Sequence, residues 1–171
     1  MPRLGLAVQG RERFAGLPAR STLRRWSLAA LDRPAQITLR FVGEAEGRRM
    51  NREFRRADHA TNVLTFDYER EPLVLADIVL CVPVVRREAR EQGKSVRAHL
   101  AHLVIHGVLH ALGHDHVDAR DARRMEALET ALLARLRIAN PYEPQPTHDR
   151  DVSAGRRRAS RSKLAQASGR R

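Results

Sequence analysis

The sequence is poor in cysteine and in long apolar runs, and each shortage excludes a class of protein. Cys81 is the single cysteine among 171 residues, which excludes an internal disulfide framework and a zinc finger built on cysteine thiolates. No apolar run approaches the roughly 20 residues of a membrane span, and the apolar stretch at the N-terminus is too short for a signal peptide. We therefore expect a protein of the reducing cytoplasm with no membrane partner.

Aromatic residues are also scarce, whereas basic residues are abundant. The chain has 32 Lys and Arg against 20 Asp and Glu, which gives a formal net charge of +12. A charge of this sign and size predicts attraction to polyanions, of which nucleic acids are the commonest. Because aromatic residues make up 4% of the chain, we expect little base stacking and mostly contacts with phosphate groups.

The length fits one domain that buries a real core, followed by a basic tail. We assign residues 1–142 to the domain and residues 143–171 to the tail, which we expect to be disordered. Eight Lys or Arg and two Asp lie in residues 148–171, with few large aliphatic side chains to offset the entropy of ordering. The tail is either a solvated segment that aids solubility or an arm that binds nucleic acid.

Hydrophobic periodicity predicts an α/β domain of about four strands and five helices. The strands are predicted at residues 4–9, 36–42, 62–68 and 76–82, the last of them buried on both faces. The helices are predicted at residues 21–31, 44–56, 83–92, 96–112 and 118–137. Three side chains are predicted as helix N-caps: Ser21, Ser95 and Asp118. The order of the strands in the sheet does not follow from this pattern.

Six of the eight histidines lie in residues 99–116. His106 and His110 are four residues apart, a rotation of about 400° on a helix, so both imidazoles share one face. Gly113 tolerates the left-handed conformation that ends a helix and reverses the chain, which lets His116 reach the same metal ion. Three imidazole nitrogens and one open position are typical of catalytic zinc. We predict one Zn²⁺ per chain, although Ni²⁺ and Cu²⁺ accept the same donors.

Other assignments of the histidines stay open. His114 also lies four residues after His110 and could replace His116 as the third ligand, although the glycine reversal gives His116 more reach. His99 and His102 are interpreted as surface or core residues, or as residues that support a ligand.

The spacing H-x-x-x-H-x-x-G-x-x-H equals that of the metzincin peptidases. In those enzymes a glutamate follows the first histidine and acts as general base. Gly107 occupies this position here. A glycine cannot accept a proton, so ordinary zinc peptidase chemistry is disfavoured.

The segment His-Gly-x-Leu-His-x-x-Gly-x-Asp-His at residues 106–116 resembles the hallmark of the YbeY family of bacterial metal-dependent endoribonucleases. Residues 50–66 resemble the family's L-N-x-x-[FY]-R-x-K-D-x-P-T-N-V-L-S-F-P, whose final Pro falls at position 67. Residues 76–81 resemble its G-D-[IL]-x-[IL]-[CS], and residues 125–129 its M-E-x-L-E. The likeness covers residues 4–142. The departures are Ala57 for Lys, Ala60 for Pro, Thr65 for Ser, Asp67 for Pro, Ala76 for Gly and His114 for Tyr.

The resemblance implies zinc-dependent cleavage of single-stranded RNA in the maturation of the small-subunit rRNA 3′ end and in ribosome quality control. The implied partners are RNA, rRNA above all, and the small ribosomal subunit. His106, His110 and His116 would be the zinc ligands, and Arg55 the functional arginine, for which we predict binding of the scissile phosphate. Without the resemblance, Arg55 would be interpreted as solvated or paired with a carboxylate such as Asp58. The implied fold is a small mixed sheet with helices, the histidines lying at one cleft.

Two other functions and two chemical routes remain open. The chain could be a zinc hydrolase of a non-RNA substrate, which Gly107 disfavours. It could also be a ribosome-associated RNA-binding factor with a structural metal, which would need a fourth ligand from His114 or Asp115. For the nuclease, the attacking group is either metal-activated water or the 2′-OH of the RNA, and the sequence shows no clear general base.

Overall fold

Four strands form one mixed sheet. They are β1 (Leu4–Gln9), β2 (Ala35–Val42), β3 (Val63–Glu69) and β4 (Val74–Cys81), and they lie in the order β1-β2-β4-β3. β1, β2 and β4 run parallel, whereas the edge strand β3 runs antiparallel to β4. The structure, a computed structural model, describes residues 1–144. The predicted tail at 143–171 therefore lies, except for its first two residues, outside the described residues.

Five helices accompany the sheet. They are α1 (Arg20–Ala30), α2 (Glu44–Arg55), α3 (Val82–Glu91), α4 (Val96–Ala111) and α5 (Ala119–Arg135), with a short 3-10 helix at Arg11–Arg13. The prediction of an α/β domain with four strands and five helices is confirmed. Among the helices of residues 1–144, none combines the length and the apolar character needed to cross a membrane.

Two of the three predicted N-caps are present. The Ser95 side chain accepts a hydrogen bond of 3.0 Å from the Ala98 N–H at the start of α4. The Asp118 carboxylate accepts bonds of 2.9 and 2.8 Å from the N–H groups of Arg120 and Asp121 in α5. Both side chains satisfy N–H groups that the first turn of a helix leaves unpaired.

The prediction that Ser21 caps α1 is wrong. The helix begins at Arg20 and its N-cap is Ala19, which forms no side-chain cap, so Ser21 lies inside the first turn. The start of α1 is held instead by an arginine pair: Arg20 donates to the Leu6 carbonyl and Arg24 to the Leu4 carbonyl. These hydrogen bonds join segments that are distant in the sequence, so the local pattern around Ser21 does not reveal them.

The sheet separates two clusters of buried apolar side chains. The larger one fills the space between one sheet face and α1, α3, α4 and α5, and the smaller one lies on the opposite face, where α2 packs. β4 contributes Ile78 and Leu80 to the first cluster and Val79 and Cys81 to the second, as its near-continuous apolar sequence predicts. α4 contacts the sheet and the other three helices of the larger cluster, so packing on several sides positions its C-terminal histidines.

Candidate metal centre in a polar cleft

α4 ends in a glycine turn that reverses the chain. Gly113 has φ of +99°, a left-handed conformation that L side chains rarely adopt. Its N–H donates to the His110 carbonyl at 2.9 Å, and the His114 N–H donates to the Leu109 carbonyl at 3.0 Å. These two bonds form a Schellman motif, so the predicted role of Gly113 is confirmed.

The turn brings three histidine rings together. The ring centres of His106 and His110, on successive turns of α4, lie 4.6 Å apart, and that of His116 lies 5.8 and 5.0 Å from them. One nitrogen from each ring lies within 4.8 Å of the other two, so this group can hold a metal ion. His114 and Asp115 line the same cleft, but neither belongs to the group of converging donors found in residues 1–144.

The charge state of His110 suits a metal ligand. Burial, together with the neighbouring rings of His106 and His116, lowers the pKa of His110 from its ordinary 6.5 to about 4. The imidazole is therefore neutral at pH 7. A neutral ring keeps the nitrogen lone pair that coordination requires.

Glu129 of α5 lies behind the three converging histidines and hydrogen-bonds one of them, His106. Its side chain is fully buried, and Oε1 lies 2.6 Å from Nδ1 of His106. Oε2 lies 2.7 Å from Nε2 of His102, and the Tyr142 hydroxyl donates to the same oxygen. Because a carboxylate only accepts, His106 carries its proton on Nδ1, and its Nε2 keeps the lone pair.

The protonation of this buried group is set by its partners. Burial raises the pKa of Glu129, but the hydrogen bonds from His102, His106 and Tyr142 outweigh it and lower the pKa to about 2. Burial and the adjacent carboxylate raise the pKa of Tyr142 above its ordinary value, so the hydroxyl stays protonated and donates. The carboxylate is thus ionised throughout the neutral range.

Sequence reasoning assigned no role to Glu129, although the pattern contains a signal. Glu129 lies four residues after Met125 and three before Leu132, on the stripe of α5 that is buried in the core. A carboxylate on such a stripe requires hydrogen-bonding partners. The partners come from α4 and from the segment after α5, and periodicity within one helix cannot identify them.

Arg55, the last residue of α2, lines the same cleft as the three histidines. Its Nη2 donates to the Thr65 carbonyl of β3 at 3.1 Å, and its Cζ lies 6.0 Å from the ring centre of Phe66. Asp58 does not pair with Arg55: Nε and Nη2 of Arg48 each bind that carboxylate at 2.9 Å. Arg55 is therefore anchored at one nitrogen beside β3, with its side chain at the cleft.

The cleft has a volume of about 550 Å³ and holds a second guanidinium. Arg70 donates from Nε to Asp67 at 3.0 Å, and its Nη2 lies 2.7 Å from the same carboxylate oxygen. The Arg70 side chain lies over the glycine turn, where a Cβ built on Gly113 would stand 3.2 Å from its Nη1. The cleft is therefore polar, lined by two guanidiniums, by the carboxylates of Asp67 and Asp115, and by the histidines.

Gly107, one residue after the first histidine, faces the sheet. A Cβ on Gly107 would lie 2.8 Å from Ile78 Cγ2 and 3.3 Å from Thr65 Oγ1. The glutamate that metzincins carry at this position has no space here, so the structure holds no equivalent of their general base at residue 107.

Comparisons with known proteins agree with the motifs. The family model described as Endoribonuclease YbeY matches residues 19–137. The Endoribonuclease YbeY of Methylibium petroleiphilum is 55% identical over 140 residues, covering 82% of this chain and 93% of that protein. The protein of the same name from Bordetella pertussis is 56% identical over 151 residues, covering 81% and 96%.

A solved structure shares the fold. The solution structure of a Thermotoga maritima protein superposes with a TM-score of 0.51 at 22% identity, covering 83% of this chain and 98% of the other. At that identity the likeness shows the fold alone. The family-model match and the similarity to the curated relatives go further and confirm the resemblance read from the motifs: the chain belongs to the endoribonuclease YbeY family.

Proposed function

We propose that this chain is a zinc-dependent endoribonuclease that cuts single-stranded RNA. Its proposed substrate is rRNA of the small ribosomal subunit, in 3′-end maturation and ribosome quality control. The observation that carries the proposal is the placement of Arg55 and the three converging histidines in one cleft. A metal ion and a guanidinium are the groups that proteins use to stabilise charge on a reacting phosphate. Family membership supports RNA as the substrate.

His106, His110 and His116 would hold the zinc ion, His106 through its Nε2. Zinc bound by three imidazoles supplies Lewis-acid chemistry to a substrate in the cleft. No fourth protein donor converges with these rings within residues 1–144. This arrangement supports a catalytic rather than a structural metal, and it weighs against a purely RNA-binding factor.

Arg55 would bind a non-bridging oxygen of the scissile phosphate and neutralise the charge that develops there. The Thr65 carbonyl holds one of its nitrogens, which limits how far the guanidinium can move. Arg70 of the same cleft is paired with Asp67, so Arg55 is the guanidinium there that binds no carboxylate within residues 1–144. The Arg55 guanidinium favours the phosphate backbone over uncharged peptide, and the crowding at Gly107 weighs against peptidase chemistry.

The two routes of attack give different products. Attack by water breaks one P–O bond and leaves a phosphate monoester on one fragment and a hydroxyl on the other. Attack by the neighbouring 2′-OH displaces the 5′-oxygen and leaves a 2′,3′-cyclic phosphate and a 5′-hydroxyl. The ends of the fragments therefore identify the nucleophile.

The test is cleavage of an end-labelled single-stranded RNA by purified protein, with the same sequence as a duplex in a parallel reaction. His110→Ala and Arg55→Ala should both lose activity, whereas Arg48→Ala, which removes the same charge from α2, should keep it. Equal products from all proteins would indicate a contaminating nuclease. No product from any protein, with RNA binding retained, would refute the nuclease and favour a binding factor.

A further inference from the structure

A buried carboxylate connects the two helices behind the metal centre. Glu129 of α5 has no exposed surface, and both of its oxygens face side chains that come from outside α5. Burying a carboxylate without partners carries a large energetic penalty, so its retention in the core needs a compensating set of donors. Here the donors are His102 and His106 of α4 and Tyr142 of the segment that follows α5.

The two oxygens have different roles. Oε1 receives the Nδ1 proton of His106 at 2.6 Å, which leaves Nε2 of that ring as the atom available for a metal. Oε2 receives the Nε2 proton of His102 at 2.7 Å and the hydroxyl proton of Tyr142. The donors on Oε2 fix the rotation of the carboxylate, and the carboxylate in turn fixes the rotation of the His106 ring.

The same residues could be interpreted as a second metal site, because donor atoms of His102, His106 and Glu129 also lie within 4.8 Å of one another. The separations fit hydrogen bonds instead. Nitrogen and oxygen lie 2.6 and 2.7 Å apart in the two histidine–carboxylate pairs, which is the length of a charge-assisted hydrogen bond. Two ligands of one tetrahedral zinc, with bonds of about 2.0–2.1 Å, stand farther apart, at about 3.4 Å.

We propose that Glu129 is a positioning residue of the metal centre. It holds His106 in the tautomer and orientation that present Nε2 to the metal, and His102 and Tyr142 hold Glu129. The proposal rests on the proposed function in taking His106 as a ligand. It adds that the segment following α5 is tied to the metal centre through Tyr142, and that these three residues set metal affinity without touching the metal.

The experiment measures zinc affinity by competition with a chromophoric chelator, and the absorption spectrum of the cobalt(II)-loaded protein. Glu129→Gln keeps the shape of the side chain but replaces one acceptor oxygen by a donor NH₂, so zinc affinity should fall about 10- to 100-fold and the cobalt spectrum should change. The matched control is Glu126→Gln, which removes the same charge from an exposed position one turn earlier in α5. Its affinity should stay within about twofold of the parent, because Glu126 has no hydrogen bond to His106 in the described structure.

A second variant keeps the test decisive if Glu129→Gln does not fold. Tyr142→Phe changes a half-exposed residue and removes one donor from Oε2, so zinc affinity should fall by a smaller factor of about two to ten. Glu129→Asp retains a carboxylate acceptor, so its zinc affinity should lie between those of Glu129→Gln and the parent. A folded Glu129→Gln protein with parental zinc affinity and cobalt spectrum would overturn the proposal. If Glu129→Gln is unfolded, a Tyr142→Phe protein with parental zinc affinity would overturn it.

RNA cleavage measured on the same samples separates this inference from the proposed function. A parent protein that binds zinc in a Glu129-dependent manner but cuts no RNA would refute the nuclease and leave the positioning role. A parent that cuts RNA, with Glu129→Gln binding zinc as tightly as the parent, would refute the positioning role alone.

Discussion

Ile78 of β4 leaves no space for a side chain at Gly107 of α4. A Cβ on Gly107 would lie 2.8 Å from Cγ2 and 3.1 Å from Cδ1 of Ile78, and both residues belong to the buried interface between helix and sheet. Gly107 directly follows His106. The close approach of α4 to β4 therefore sets the depth at which the histidine-bearing part of the helix lies.

Gly107→Ala should destabilise the protein. Overpacking of a tight core costs about 1–3 kcal/mol, whereas replacing a helical glycine by alanine gains about 1 kcal/mol. We expect the free energy of unfolding to fall by up to about 2 kcal/mol, as measured by urea denaturation. The control is the same substitution in an Ile78→Ala background, where Cγ2 is absent. There the substitution should be neutral or stabilising, and an equal cost in both backgrounds would contradict the steric explanation.

Arg55 should affect turnover but not metal binding. If its guanidinium binds the scissile phosphate, Arg55→Ala should lower kcat/KM by about 10²- to 10³-fold. Arg55→Lys keeps the charge but loses the planar pair of donors, so its kcat/KM should lie between those of the parent and Arg55→Ala. Zinc affinity should be unchanged, since Arg55 contacts Thr65 and Phe66 rather than the histidines in the described structure.

The control for Arg55 lies on the same helix. Arg48 carries the same charge but is held by Asp58, so Arg48→Ala should change kcat/KM by no more than about threefold. Equal losses from Arg48→Ala and Arg55→Ala at one salt concentration would mean that general attraction of RNA, rather than contact with the reacting phosphate, explains the effect of Arg55.

The sequence predicted the arrangement of the histidines because each step in it is local. Spacing on one helix places His106 beside His110, and one glycine with a left-handed conformation returns His116 to them. Element bounds were also predicted to within one or two residues for most helices and strands, since they follow hydrophobic periodicity and N-caps.

The parts that sequence reasoning missed depend on contacts between distant segments. Glu129 is visible in the sequence as a carboxylate on an apolar stripe, but its pairing with His106 requires α5 to pack on α4. Arg55 finds its carbonyl partner only once β3 is paired in the sheet. The N-cap of α1 was misplaced for the same reason, because Arg20 and Arg24 hold this helix through hydrogen bonds to the distant strand β1.

Glu129 should make the stability of the metal-free protein depend on pH in the acid range. Its pKa is about 2 in the folded state against 4.5 ordinarily. Its contribution to the free energy of unfolding is therefore fully present above pH about 4.5 and is lost as pH falls toward 2. The contribution is about 3 kcal/mol, at 1.36 kcal/mol per unit of pKa. Urea denaturation of the parent and of Glu129→Gln should give unfolding free energies that converge over this window. A difference that stays constant from pH 4.5 to pH 2 would contradict the assignment of the low pKa to Glu129.

The basic tail should steepen the salt dependence of RNA binding if it contacts RNA. Lys94 donates to the Pro141 carbonyl at 2.6 Å and Tyr142 donates to Glu129, so a truncation should end after Pro144 and leave both contacts in place. Each phosphate neutralised on a single strand adds about 0.7 to the slope of log K against log salt. Removing eight basic residues should therefore flatten the slope by up to about 6. The measurement is single-stranded RNA binding from 50 to 300 mM salt, with a chain of the same length in which these residues are glutamine as control. An unchanged slope in both proteins would show that the tail does not touch RNA and that the charge of the domain alone accounts for binding.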